Sequence, residues 1–401
     1  MMTRRQAALA CATAIAGFGA EKRINRGERV QIRRLPESAI QPQLALDDQG
    51  TLHLVYYTGD AHKGDLDYVR SADFGKSFSN ALRVNSQPGS AVAAGTIRGA
   101  QLAAGNRGLV HIAWNGSMQA KPEGPLNPDS GKHGMPMLYA RLNESHSAFE
   151  PQRNLMLHSF GLDGGGSVAA NHAGAVYVAW HGIGESEGSG TGKEGEARRR
   201  VWIAKSADNG RSFANEEGAW PQETGACGCC GMKIFADRQN NVYLLYRSAT
   251  NSVHRDIYLL TSQAKGGGFE GRLLHSWDVN ACPMSSMDFA ENGNVVVGAW
   301  ETGGQVYWAR LDRGAEGKTQ PVPAPGEGKG RKHPRLAVNQ KGEVLLVWTE
   351  GTAWQKGGSL AYQRYDRVGQ PLGEKGTAAG VPTWSFGAAV AAADDEFVVF
   401  Y

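Results

Sequence analysis

The chain repeats one hydrophobic figure. An apolar segment is followed by a small turn with Gly or Asn, then by a β-rich segment ending on an aromatic, then by a polar stretch. The second segments read TLHLVYY, LVHIAWN, AVYVAWH, NVYLLYR, VVVGAWE and EVLLVWT, with EFVVFY closing the chain. Their aromatics are Tyr57, Trp114, Trp180, Tyr246, Trp300, Trp348 and Tyr401. Short apolar runs bounded by turn residues predict strands. Each repeat continues with a third strand (LDYVRSA, MLYARLN, RVWIAKSA, DIYLLTS, QVYWARL, SLAYQRY) and usually with a fourth. A sheet this small buries both faces only if neighbours stack on it, so the period predicts the blades of a β-propeller. Six four-stranded blades are complete. The last copy supplies two strands, and the segment Arg29 to Leu35 is placed to add an outer strand from the other end, which leaves open a composite seventh blade that closes the ring.

Composition agrees with an all-β fold: 54 Gly, 10 Trp and 12 Tyr with 41% hydrophobic residues describe a turn-rich chain with aromatic punctuation. The 42 basic and 39 acidic residues are spread along it. No basic stripe for nucleic acid and no polybasic membrane patch stands out. Residues 28–401 are expected to form one propeller domain. The Gly-rich stretches Gly182 to Glu196 and Gly326 to Gly330 read as surface loops within it.

Before the propeller lies Thr3-Arg4-Arg5-Gln6, an apolar run from Ala7 to Ala20, and the charged Glu21-Lys22-Arg23. Residues 1–20 therefore read as a signal peptide with twin-arginine character, and the protein as exported to a periplasm or the extracellular space. The run is too short for a comfortable membrane span. Cys11 sits inside it, a poor place for a lipoprotein anchor.

Two octets repeat in register directly after third strands: Ser71-Ala72-Asp73-Phe74-Gly75-Lys76-Ser77-Phe78 and Ser206-Ala207-Asp208-Asn209-Gly210-Arg211-Ser212-Phe213. Degenerate copies lie at Asn143 to Phe149 and Ser262 to Phe269. Each suits a tight turn in which Asp accepts backbone N–H bonds, Gly takes an unusual φ and the aromatic tucks into the sheet. The octets resemble the Asp-box (BNR) repeat of the sialidase-like β-propellers. That resemblance implies that Asp73 and Asp208 are structural and lie on the face opposite the site.

First and second strands are antiparallel, so residues after the second strands and before the first converge at one end of the channel. There the sequence places Asp60, Asn115, His181, Arg247, Glu301 and Glu350, together with Gln41, Arg98, Asp163, the cysteines and His333; Arg255 and Arg335 are expected nearby. Paired carboxylates and arginines suit an acidic glycan. Glu301, Glu350 and Asp60 are the candidate acid, base or nucleophile; Arg98, His181, Arg247, Arg255, His333 and Arg335 are the candidate substrate-binding groups. The resemblance would also imply an Arg-Ile-Pro motif before the first inner strand, but Ile40-Gln41-Pro42 stands there and no full arginine triad maps. A carbohydrate partner is thus expected, with hydrolysis of an acidic or complex sugar rather than true sialidase activity.

Four cysteines follow the leader, in Ala226-Cys227-Gly228-Cys229-Cys230-Gly231 and Ala281-Cys282-Pro283-Met284, at equivalent places in neighbouring blades. Export favours one or two disulfides. Thiolates joined by Met232, Met284 or His333 would instead hold a soft metal, copper or zinc. No other cofactor is required. Two further readings stay open: a non-catalytic glycan- or protein-binding propeller, and a metal-binding protein built on the cysteines.

Overall fold

The computed structural model describes residues 29–36, 38–184, 192–263, 268–311, 320–328, 330–392 and 395–401. The expected leader and Cys11 lie outside them. No described helix is long and apolar enough to cross a membrane.

Seven sheets follow one another along the chain and close a ring. The inner strands are Ile40–Leu46, Gln101–Ala104, Ser167–Ala170, Lys233–Ala236, Asp288–Asn292, Arg331–Val338 and Ala388–Ala391; each touches the next, and the last touches the first. Alanines recur in them, including Ala103, Ala169, Ala236, Ala290, Ala337 and Ala389. Seven strands converging on one axis leave little width for side chains. The first six sheets are antiparallel; five have four strands in simple order, as the repeat implied, and the third carries an extra two-residue strand, Ser159–Phe160, paired to the end of Val176–Gly184.

The core lies in the seams between blades. Trp114, Trp180, Trp300 and Tyr57, the aromatics that end second strands, are almost wholly buried. Between blades 1 and 2, Val55, Tyr57, Leu66 and Tyr68 meet Leu102, Ile112, Trp114 and Leu138. Second strands have neighbours on both faces, and Val110–Asn115 and Val242–Arg247 are buried along their whole length. A strand covered on both sides tends to read as a continuous apolar run rather than a clean alternation.

The seventh blade is composite and differs from expectation in one respect. Ala388–Ala391 pairs antiparallel with Phe397–Phe400, and Val30–Arg33 pairs directly with Phe397–Phe400 in parallel. The N-terminal segment thus runs in the direction of a fourth strand but occupies the third place, and the blade has three strands.

Both octets form the expected turn. Asp73 accepts bonds from Ser71 Oγ at 2.7 Å and from Ser77 N at 2.8 Å, and Asp208 repeats these with Ser206 at 2.7 Å and Ser212 at 2.9 Å. Gly210, at φ 74°, sits so close to the preceding blade that a Cβ there would lie 1.9 Å from the Tyr139 hydroxyl. The aromatics also reach that blade: Phe78 meets Phe400 edge-on at 5.8 Å, Phe213 meets Tyr139 at 4.8 Å, and Phe149 of a degenerate copy meets Tyr68 at 5.4 Å. Each turn wedges one blade against its predecessor.

The Gly-rich stretch before Arg199 is not simply a loop. Its first residues belong to strand Val176–Gly184, and Gly192–Arg198 is a short helix; residues 185–191 lie outside the described set.

Candidate functional site at the channel mouth

Second strands end, and inner strands begin, on the face opposite the octets. There blade 4 presents the turn Cys227 to Cys230, closed by a bond from Cys230 N to Cys227 O at 3.3 Å. Cys227 N donates to Arg247 O at 2.9 Å and Gly231 N to Ser285 O at 2.9 Å, which ties the turn to blades 4 and 5. Blade 3 presses on it from the other side: a Cβ at Gly164 would meet Cys230 O at 2.5 Å and Gly228 O at 2.6 Å. Only a residue without a side chain allows that approach.

Among the described residues, Cys227, Cys229, Cys230 and Cys282 form no disulfide, where one or two were expected. Cys227 Sγ lies 3.2 Å from Cys230 Sγ and 3.5 Å from Cys229 Sγ, well beyond the roughly 2.05 Å of a disulfide. Cys282, from blade 5, is exposed and closes on Cys229 and Glu196. A hydrogen bond from Cys229 lowers the Cys282 thiol to about 7 against the opposing effect of burial. Burial resists ionisation of Cys230, but bonds from Cys227 and Cys229 and the Arg247 charge carry its pKa below the usual thiol value.

Three guanidiniums surround this turn. Arg255 donates to Glu196 Oε2 at 2.6 Å, while Glu196 Oε1 accepts Gly228 N at 3.1 Å. Arg247 donates to Arg255 O at 2.8 Å and Glu301 Oε2 at 3.0 Å, and lies over the Trp277 ring. Arg199 reaches Gly161 O from the end of the short helix. His181 Nε2 lies 3.3 Å from Cys230 O, and burial followed by the Arg199 charge lowers its pKa to about 4.

The structure therefore gathers Arg247, Arg255, His181, Cys227, Cys229, Cys230, Cys282 and, through Arg247, Glu301. The candidate carboxylates differ in how they are engaged. Glu301 is 2% exposed, with its carboxylate taken by Arg247 and by Gly304 N at 2.7 Å; burial raises its pKa while Arg247 opposes the shift. Glu350 accepts Arg331 Nε at 2.9 Å and Trp348 Nε1 at 2.8 Å. Asp60 is exposed in a hairpin, where it accepts His62 N at 2.9 Å. Arg98 is committed to Asp163, through Oδ1 at 2.5 Å and the carbonyl at 2.6 Å. Arg335 and His333 line the channel in blade 6; Arg335 lies 4.3 Å from the Phe386 ring centroid and His333 Nδ1 lies 3.3 Å from Ser286 Oγ. Met232 is buried in the seam of blades 3 and 4.

Glu196 and Arg199 were not anticipated. The run Lys193 to Arg200, rich in Glu, Ala and Arg, carries helix-forming residues that could have flagged the helix holding Glu196. Also unanticipated is an aromatic rim. Trp354 is 50% exposed, its ring 6.3 Å from Trp384 and nearly perpendicular to it, and Trp384 meets His62 edge-on at 6.0 Å.

Non-glycine residues at positive φ occur at both ends of the channel, Phe74, His146 and Asn209 among them in the octet-type turns, and five lie at the mouth. Gln41, Thr96, Met284, His333 and Trp384, all at or just before inner strands, hold φ between 49° and 74°. A left-handed conformation in a non-glycine residue costs of order 1–3 kcal/mol and persists only where surroundings enforce it. One cleft at the mouth, lined by Thr96, Met284, Lys332, His333 and Trp354, has a volume of about 10 Å³, room for one water. Clefts of about 400 Å³ lie on the opposite face, one beside Asp47, His53, Arg70 and His146, another beside Trp308, Arg310 and Lys341.

The fold is that of the sialidase-like β-propellers. Among solved structures, the chain is similar to a Hadza microbial sialidase at 13% identity and TM-score 0.52, covering 82% of this chain and 66% of that one. It is also similar to a protein of unknown function from Dyadobacter fermentans at 12% identity and TM-score 0.53, covering 85% and 94%. The α-L-arabinofuranosidase Arb93A from Fusarium graminearum matches at 10% identity and TM-score 0.50, covering 82% and 94%. No protein-family model matches the sequence, and neither does any curated protein.

Proposed function

We propose that this is an exported protein that acts on a glycan, acidic or otherwise complex, held across the channel-mouth rim. The observation that carries this reading is the exposed Trp354 at the channel mouth, its ring 6.3 Å from that of the half-buried Trp384, beside five non-glycine residues held at positive φ. Left-handed non-glycine residues persist only where their surroundings enforce them, so these five hold the backbone of the mouth in a fixed shape. The exposed Trp354 ring offers a sugar ring an apolar face, and Trp384 stands edge-on beside it. The fold supports the same reading, since a sialidase and an arabinofuranosidase share it.

Two forms of this activity differ in their carboxylates. Hydrolysis in most glycosidases needs two carboxyl groups flanking the bond, about 5–9.5 Å apart. Glu301 and Glu350 are each bound to an arginine, and Asp60 alone is exposed. Those ion pairs favour a second reading, a module that binds glycan without turnover.

A panel of acidic and neutral oligosaccharides, assayed for both binding and released products, tests the proposal. Binding that falls at least tenfold in Trp354→Ala supports it; products assign the hydrolase and their absence the binding module. No binding and no product across the panel overturns it.

A further inference from the structure

We propose that the turn from Cys227 to Cys230 binds one Cu(I) ion through the three sulfurs of Cys227, Cys229 and Cys230. The inference does not rest on the glycan reading. The three Sγ atoms lie within 4.8 Å of one another on a turn fixed by backbone bonds to Arg247 and Ser285. Three sulfurs around an ion at about 2.3 Å stand about 4.0 Å apart in a plane. Cys227 Sγ, at 3.2 and 3.5 Å from its partners, reaches that arrangement by adjustments below about 1 Å.

The donor set selects the ion. Thiolates favour soft Cu(I) and also accept zinc, but structural zinc closes a four-coordinate shell. The nearest further sulfur, Cys282, groups with Cys229 and Glu196 rather than with Cys227 and Cys230, so it does not complete a four-coordinate shell around the three. Both oxygens of Glu196 are engaged, by Gly228 N and Arg255, and His181 Nε2 faces the Cys230 carbonyl. A three-sulfur shell suits the monovalent ion.

The surroundings supply the opposite charge. Three thiolates and Cu(I) sum to −2. Arg255 acts electrostatically on Cys227 and Arg247 on Cys230, and both side chains are at most 3% exposed. Arg247 Nε and Arg255 Nε and Nη1 are buried with no hydrogen-bond partner. A buried donor left unpaired is costly, and an anionic sulfur–metal centre would answer that cost. Cys282, exposed and next to Cys229, offers an arriving ion its first sulfur at the surface.

The test uses the full chain, purified without oxidants, with its free thiols counted before metal is added. Cu(I) is supplied anaerobically against a chromophoric Cu(I) chelator, with Zn(II) titrated in parallel against a zinc indicator. The expected result is one Cu(I) per chain, an all-sulfur shell by X-ray absorption, and retention of copper against excess Zn(II). Cys227→Ser and Cys230→Ser should each weaken binding by roughly 100-fold or more, whereas Cys282→Ser should slow loading and leave affinity within threefold. Circular dichroism of each apo variant separates lost binding from lost fold, and the wild-type stoichiometry stands without the variants. Disulfides in place of thiols, preferential zinc uptake, or copper affinity unchanged in both serine variants overturns the proposal. Glycan binding by metal-free protein is measured separately, so either reading can fail alone.

Discussion

Arg247 of blade 4 meets Glu301 of blade 5 at 3.0 Å, with 1% and 2% of the two side chains exposed. Removing one member of such a pair strands a charge in the core. Glu301→Ala is expected to lower unfolding free energy by about 3–5 kcal/mol, while replacing both residues with apolar ones of similar volume recovers most of that loss. Urea unfolding of the single and double variants checks this. A loss of activity in Glu301→Gln with the urea midpoint unchanged would restore Glu301 as a catalytic candidate.

The octet turn is an inter-blade wedge, and its glycine is constrained twice. Gly210→Ala meets both a positive φ and the Tyr139 hydroxyl, whereas Gly293, at φ 61°, has nothing within 4 Å of an added Cβ. Gly293→Ala is expected to cost about 1 kcal/mol from conformation alone. Gly210→Ala should cost at least about 2 kcal/mol more, because the packed seam must open. Thermal unfolding of the two variants measures the difference.

Thr96 is β-branched and held at φ 74°, an arrangement such residues rarely adopt. Thr96→Gly is expected to stabilise the fold by up to about 1 kcal/mol and to weaken ligand binding at the mouth. Calorimetry with and without a glycan found by the panel reads both effects. A loss of stability would show that the Thr96 side chain contributes more than its backbone costs.

Acid should loosen this protein from about pH 6.5 downward, with the half-buried Glu291, raised by burial to about 7, opposing part of the effect. Burial, followed by the Arg141 charge, lowers His111 to about 3; burial, with Arg335 and Lys332, does the same to His333. Both protonate near pH 6.5 in the unfolded chain, so below that pH the unfolded state binds more protons and stability falls, down to about pH 3. Each histidine contributes a slope approaching 1.4 kcal/mol per pH unit, an order-of-magnitude figure. Urea midpoints at pH 7 and pH 5 should differ for wild type and differ less for His111→Gln. Equal slopes would exclude His111 as a source.

Much of this architecture was legible because it rests on local chemistry repeated in register. Trp114, Trp180 and Trp300 sit at the ends of second strands, and their recurrence located six blades before any coordinates. Cys227 to Cys230 and Cys282 were expected to meet because equivalent loops of adjacent blades must. The partner of Glu301 was not legible, since a carboxylate at a strand end says nothing about whether it faces solvent or a neighbouring guanidinium. Glu196 escaped because its short helix lies far along the sequence from the turn it supports. The strained positions left one readable trace: Gln41 and His333 both precede proline and both lie at register shifts in their inner strands.

The parallel strand of blade 7 gives the ring an order of completion. Among the described residues, Val30–Arg33 finds its only sheet partner in Phe397–Phe400, more than 360 residues away. Six blades can assemble as neighbours along a growing chain, but the circle stays open until the last residues arrive. That final pairing is the least local event in the fold, and such contacts form slowly because loop closure must come first. Until then, the stacking faces of blades 1 and 6 remain uncovered. The last few residues thus act as a latch on the whole ring, and a chain shortened before Phe397 would lack the partner that holds Val30–Arg33.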